Sequence, residues 1–218
     1  MSVITIERKI LEKNDEIAAI NRSLFKEHKL FTLNVVSSPG SGKTSLLERT
    51  IEELKGKIKI AVIEGDVQTD FDAKRVEKYD VPVVQIVTNG GCHLEAKLVR
   101  DAAGNMNLDG IEFLVIENVG NLVCPAGYDL GEDFKVVLLS TTEGDDKPLK
   151  YPKMFINSSV LIINKIDLLP YVNCSMENLK KNALQINPDL KIFEISCTTK
   201  EGIAEWCEWI RENVKKQK

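Results

Sequence analysis

The stretch Ser37-Ser38-Pro39-Gly40-Ser41-Gly42-Lys43-Thr44-Ser45 has the residue types needed to wrap a phosphate. Small side chains let successive backbone NH groups turn inward around phosphate oxygens at the positive end of a following helix. Gly40 and Gly42 allow that turn, and Gly40, Ser41, Gly42, Lys43, Thr44 and Ser45 are the candidate contacts to the phosphates of a nucleotide. Lys43 reaches the outer phosphates as a point charge, and the Thr44 hydroxyl binds a magnesium ion that bridges them. The general pattern G-x-x-x-x-G-K-[ST] opens on glycine where this chain has Ser37. That difference alters the first turn of the loop and spares its Gly-Ser-Gly-Lys-Thr core.

A second set of chemistry-bearing residues is Asn164-Lys165-Ile166-Asp167. Asp167 can accept hydrogen bonds from the ring NH and exocyclic amine of guanine while Asn164 meets the other edge; adenine offers a different donor pattern. A site built on buried polar groups rejects the wrong base because a mismatch leaves them unpaired. Ser196-Cys197-Thr198 falls where a backbone NH could support the base carbonyl, or makes a plain turn. Two further loops carry carboxylates: Glu64-Gly65-Asp66, with Asp72 beyond it, and Glu117-Asn118-Val119-Gly120. Asp66 is the first candidate for orienting an attacking water or joining the magnesium shell, Glu117 belongs to the metal shell, and Asp72 is the reserve. Gly120 can bring its NH to the γ-phosphate with no side chain in the way.

The third set is Gly90-Gly91-Cys92-His93 with Val123-Cys124-Pro125. Thiolate and imidazole together suit nickel or zinc. Three ligands do not close a tetrahedral site, which points to water or to the same patch of a second copy across a two-fold axis. Cys124 lies on the same loop as Gly120, so a loop that closes on GTP and relaxes after hydrolysis would move that thiolate. Cys92 and His93, on another loop, would shift less. Cys174, Cys197 and Cys207 lack such company and read as small buried or incidental residues.

Positioning these loops requires a scaffold, and the hydrophobic pattern supplies one. Strand-like runs at 31–36, 58–63, 81–87, 111–116, 134–139, 160–163 and 190–195 alternate with helical runs at 45–54, 71–79, 94–103, 176–186 and 203–214. This is the pattern of an α/β fold: a mostly parallel sheet with helices on both faces, of the P-loop NTPase kind, with its chemistry at the carboxyl ends of the strands. Ahead of it, residues 1–30 form an amphipathic helix, with Val3, Ile10, Ile17 and Leu24 at seven-residue spacing joined by Ile6 and Ile20. That helix either covers its own core or docks a partner. His28 reads as a surface residue near its end, and Trp206 and Trp209 as core anchors. Residues 31–218 then make the nucleotide-binding domain.

A chain of 218 residues, 43% hydrophobic and 28% charged, can bury a sizeable core. Its net charge of −4 argues against nucleic acid, no run is long enough for a membrane span, and the expected location is cytoplasmic.

The motifs GSGKT, GD at Asp66, DAKR from Asp72, GGCHLEA, IENVGNLVCPA, STTEGDDKPLKYP, NKID and SCTT together resemble the HypB family, GTPases that assist nickel insertion into [NiFe] hydrogenase. The resemblance runs through almost the whole chain from Phe31. It implies GTP with magnesium as ligands, a homodimer promoted by GTP and metal, and nickel or zinc at the dimer interface on Cys92, His93 and Cys124. It also implies base recognition by Asn164, Lys165 and Asp167, and a HypA-like metallochaperone and the hydrogenase large subunit as partners. The N-terminal cysteine or histidine tracts of some members have no counterpart before Cys92, where His28 stands alone. Other readings are a urease or cobalamin-enzyme accessory GTPase, a small-molecule kinase, and a metal-stapled dimer with structural nucleotide.

Overall fold

The structure, a computed structural model, describes residues 6–68 and 71–218, with side chains from residue 9; Val3 and the side chain of Ile6 lie outside the described residues. Its strands are β1 (Phe31–Ser37), β2 (Ile60–Asp66), β3 (Val83–Val87), β4 (Phe113–Glu117), β5 (Phe134–Ser140), β6 (Val160–Asn164) and β7 (Lys191–Glu194). They form one sheet in the order β3-β2-β4-β1-β5-β6-β7. Every strand pairing is parallel. Near-continuous apolar runs such as Leu161-Ile162-Ile163 suit strands covered on both faces.

The helices are α1 (Ile6–Glu27), α2 (Lys43–Leu54), α3 (Phe71–Glu77), α4 (Ala96–Gly104), α5 (Lys147–Lys150), α6 (Pro152–Ile156), α7 (Met176–Ile186) and α8 (Ile203–Lys216). Alternate strand residues divide between two faces. Leu33, Val62, Val115 and Leu138 pack with α2 and α8. Ile63, Leu114, Leu139 and Ile163 pack beneath α1, α4, α6 and α7. Trp206 is buried and donates from its indole to Thr50 Oγ1 at 3.0 Å, and Trp209 stacks on it, so both tryptophans serve the core.

The seam of α1 differs from its seven-residue apolar spacing. Ile10 and Ile20 are exposed, Ile17 and Leu24 half-buried, and the buried stripe is Asn14, Ala18, Asn21 and Phe25. The asparagines win these positions through hydrogen bonds. Asn14 donates to Asp129 O at 2.8 Å and accepts from Ala96 NH at 2.8 Å. Asn21 donates to Ala96 O at 2.8 Å and Leu130 O at 3.0 Å. Helix α1 is thus stapled to the start of α4 and to the crossover between β4 and β5. His28 sits just past its end, 3.6 Å from Asp109.

Candidate functional site

The turn after β1 carries the phosphate loop, and α2 begins inside it, at Lys43. Gly42 has φ of 106°, and a Cβ there would stand 2.4 Å from Asn164 Nδ2, so only glycine fits. Gly120 abuts the loop from the other side: a Cβ on it would meet Pro39 at 3.1 Å. Lys43, Thr44, Ser45, Asp66, Asp72, Arg75, Val119 and Gly120 line one open cleft of about 420 Å³ with the glycines of the loop. These groups come from four segments of the chain, and the parallel sheet gathers them at its carboxyl edge.

Three carboxylates converge behind the loop. Glu64, Asp72 and Glu117 each place an oxygen within 4.8 Å of the others; Asp66 stays outside this group, with its own Oδ1 accepting from Val67 NH at 2.6 Å. Glu64 and Glu117 are register partners on β2 and β4 and are 1% and 2% exposed. Glu117 accepts from the Thr44 hydroxyl at 2.8 Å. Burial raises the pKa of both acids, Glu64 further through the charge of Glu117. Their Oε2 atoms are buried without hydrogen-bond partners. Two orphaned carboxylate oxygens beside a threonine hydroxyl fit a hard divalent cation, which would ionise both acids. Glu64, expected in the loop after the second strand and without a role of its own, lies inside β2 opposite Glu117. Arg75 fixes Asp72: its guanidinium is 3.3 Å from Asp72 and donates to Glu48 on α2 at 2.6 Å.

At the other end of the loop, Asn164 is 1% exposed. Its amide donates to Ser41 O at 3.0 Å and accepts from Cys197 NH at 3.2 Å. It therefore ties the phosphate loop to the 196–198 turn. Lys165, at φ of 63°, donates to Gly40 O at 2.8 Å. Asp167 accepts from the Ser196 hydroxyl at 2.5 Å. The NH groups of Ser196, Cys197 and Thr198 are bonded to Glu201 O, Asn164 Oδ1 and Ser196 Oγ respectively, so the base-carbonyl donor expected from this turn is committed within the chain.

The thiolate–imidazole set does assemble. Cys92 Sγ lies 3.5 Å from His93 Nδ1, and Cys92, His93 and Cys124 each place a ligand atom within 4.8 Å of the others. Cys92 follows a tight turn in which Thr88 Oγ1 donates to Gly91 O at 2.7 Å. Cys124 opens a 3-10 turn, Cys124–Gly127, pinned by Lys135 Nζ donating to Pro125 O at 3.2 Å and Tyr128 O at 2.8 Å. The His93 ring packs on Tyr128 at 4.0 Å between centroids. Its Nε2 is buried without a hydrogen bond, and burial lowers its pKa, favouring the neutral ring that ligates metal. The hydrogen bond to Cys124 and, next, burial raise the Cys92 thiol, so metal must displace protons there. Of the other cysteines, Cys197 and Cys207 are buried and Cys174 is half-buried.

Residues 31–194 match the family model described as CobW/HypB/UreG, nucleotide-binding domain. A hydrogenase maturation factor HypB from Escherichia coli (strain K12) is 49% identical over 208 residues, covering 95% of this chain and 72% of that protein. The chain belongs to the HypB family. A probable HypB from Methanocaldococcus jannaschii is 43% identical over 100% of this chain and 99% of that one. The crystal structure of HypB from Helicobacter pylori in complex with nickel is similar at a TM-score of 0.89 and 39% identity, covering 94% of this chain and 96% of that one. HypB from Archaeoglobus fulgidus gives a TM-score of 0.87 at 37% identity, covering 93% and 99%. The HypB fold, a parallel P-loop sheet with a nucleotide-binding edge, is therefore the fold of this chain. Among the described residues no helix is long and apolar enough to cross a membrane.

Proposed function

We propose that the protein is a GTP-hydrolysing metallochaperone that holds nickel on Cys92, His93 and Cys124 and yields it during maturation of [NiFe] hydrogenase. The observation that carries this reading is one short segment with two duties. Gly120 lies against Pro39 of the phosphate loop, and Cys124 on the same segment meets Cys92 and His93. Lys43 binds the β- and γ-phosphates, Gly40 to Ser45 wrap them with backbone NH groups, and Asp167 selects guanine. Thr44, Glu117 and Glu64 would hold magnesium, with Asp66 at the rim. When bound, that ion neutralises charge developing on the phosphates. Asp66 and Asp72 both line the cleft and orient the attacking water; the Arg75 clamp gives Asp72 the fixed geometry that this role needs.

Three protein ligands leave nickel a place for water or for the same patch of a second copy, so GTP and metal favour a homodimer. A HypA-like metallochaperone and the hydrogenase large subunit are the partners of this reading, and the cytoplasm its location. Zinc competes for the same donor set. A titration of the purified protein with Ni(II) and Zn(II), with GDP and with a non-hydrolysable GTP analogue, tests the reading. Expected is a nickel affinity that depends on the nucleotide; equal affinities in both states would leave hydrolysis without a role in metal handling.

A further inference from the structure

We infer that Asn118 is a positioning residue for the Cys92–His93–Cys124 site, through which the nucleotide-facing segment 117–120 grips both metal-bearing loops. The inference rests on the function proposed above and names the side chains that would couple its two ends.

Asn118 stands between Glu117, which accepts from Thr44, and Val119 and Gly120, which line the nucleotide cleft. Its side chain is 1% exposed and is satisfied on both sides. Oδ1 accepts from Val119 NH at 3.0 Å and from Leu94 NH at 3.1 Å. Leu94 is the residue after His93. One amide oxygen therefore holds the nucleotide segment and the histidine segment together.

Its Nδ2 donates to Asn34 Oδ1 at 3.1 Å, on the strand that feeds the phosphate loop. Asn34 Nδ2 donates to Glu132 Oε1 at 3.0 Å, and Glu132 Oε2 accepts from Leu130 NH at 2.6 Å. Lys135, 3.9 Å from Glu132, donates to Pro125 O and Tyr128 O, the carbonyls of the turn that Cys124 opens. The path runs unbroken from the nucleotide segment to both ligand loops, and Asn34, Glu132 and Lys135 are each at most 8% exposed.

Packing alone would favour apolar side chains here. Asn34 and Lys135 sit in strands whose neighbours are apolar on both faces, where an unpaired polar group is costly. Asparagine at 118 is needed because one side chain must accept from two NH groups and donate to a side-chain carbonyl oxygen; aspartate cannot donate, and leucine can do neither. Moving 117–120 without moving Leu94 would leave a buried NH unpaired. On this inference nucleotide-driven motion reaches His93 as well as Cys124, where the sequence alone put the smaller shift on the Cys92–His93 loop.

The test measures Ni(II) affinity in the full-length protein with GDP and with a non-hydrolysable GTP analogue, for wild type, Asn118→Ala, Asn118→Asp and Lys135→Met. The wild-type ratio should be roughly fivefold or more. It should fall to within about twofold of unity in Asn118→Ala, while Asn118→Asp, which keeps the acceptor oxygen, should retain more of it. Lys135→Met breaks the path far from the nucleotide cleft, should also shrink the ratio, and decides the matter if Asn118→Ala does not fold. A wild-type ratio near unity would overturn the proposed coupling of hydrolysis to metal and this inference with it. A large wild-type ratio that persists in the folded variants, with only thermal stability reduced, would show Asn118 to be a scaffold residue and leave the function standing.

Discussion

The Asn164–Asp167 end, proposed to read the base, and the Cys-His-Cys end sit on the same sheet edge but are finished differently. At the base end the side chains already hold one another: Asn164 grips Ser41 and Cys197, Lys165 grips Gly40, and Asp167 accepts from Ser196. At the metal end the backbone is pinned, by Lys135 and by Thr88, but the donor atoms are not: His93 Nε2 has no hydrogen bond and the Cys92 thiol is held protonated next to Cys124. A preorganised polar site selects and retains its ligand, because its costs of ordering are met in advance. A site of pinned loops whose thiols are held only by weak sulfur contacts takes metal by giving up protons and can release it when the loops shift. The contrast suits a protein that must recognise one nucleotide and part with its metal.

The sharpest way to separate the ends is Lys43→Ala. Removing the ammonium from the phosphate loop should lower GTP turnover by roughly a thousandfold. Nickel affinity without nucleotide should stay unchanged, because Lys43 belongs to the nucleotide cleft. Single-turnover hydrolysis beside a nickel titration checks both halves, and nickel loss without nucleotide would break the comparison.

Next in size is Asp167→Asn, which removes a charged acceptor from a prearranged site. GTP affinity should weaken by about 2 to 4 kcal/mol. Competition with ATP reads the selectivity: ATP competing as well as GTP against wild type would remove the base-recognition argument. Smaller is the coupling itself. The dependence of nickel affinity on nucleotide should be worth about 1 to 3 kcal/mol and shrink in Cys124→Ala, with a remainder carried by the Asn118 bond to Leu94. A difference that survived undiminished in Cys124→Ala would put the coupling wholly on the Cys92–His93 loop.

The smallest effect concerns Glu64. Burial lifts its folded pKa above the unfolded value of 4.5, so the folded state holds a proton that the unfolded state loses. The sign follows: this contribution to stability is complete below pH 4.5 and is lost progressively as pH rises toward the folded pKa. Glu64→Gln, with a neutral side chain of the same shape, should flatten that slope and raise the ligand-free melting temperature at pH 8 by a few degrees, about 1 kcal/mol. Thermal melts between pH 5 and 8, without magnesium, measure it. The same variant should weaken magnesium-dependent GTP binding.

Much of this architecture could be read from residue order. The seven strands announce themselves as runs of Val, Ile, Leu and Phe, and the phosphate loop, the Asn-Lys-Ile-Asp turn and the two cysteine loops each follow one of them. Less legible was anything whose meaning lies in a partner distant in sequence. The α1 seam was assigned to its isoleucines because periodicity weighs hydrophobicity, whereas Asn14 and Asn21 are buried by bonds to residues far along the chain. Glu64 and Asn118 stood in their loops without a role of their own, and Lys135 went unnoticed, for the same reason. The short helices α5 and α6 were not foreseen, and each carries a proline, Pro148 and Pro152, at a first-turn position where proline is tolerated. The bond from Cys197 NH to Asn164, 33 residues apart, was equally hidden in residue order.

The staples on α1 also set a timetable for biosynthesis. Asn14 bonds to Asp129, 115 residues further on, so the helix leaves the ribosome long before its seat exists. At translation speeds of about 5 to 20 residues per second the delay is roughly 6 to 23 s. During that time the amphipathic surface of α1, with Ala18 and Phe25 still uncovered, is free to meet chaperones or other nascent chains. Final docking of this helix is thus a late event, which closes the molecule only after the metal crossover has been made.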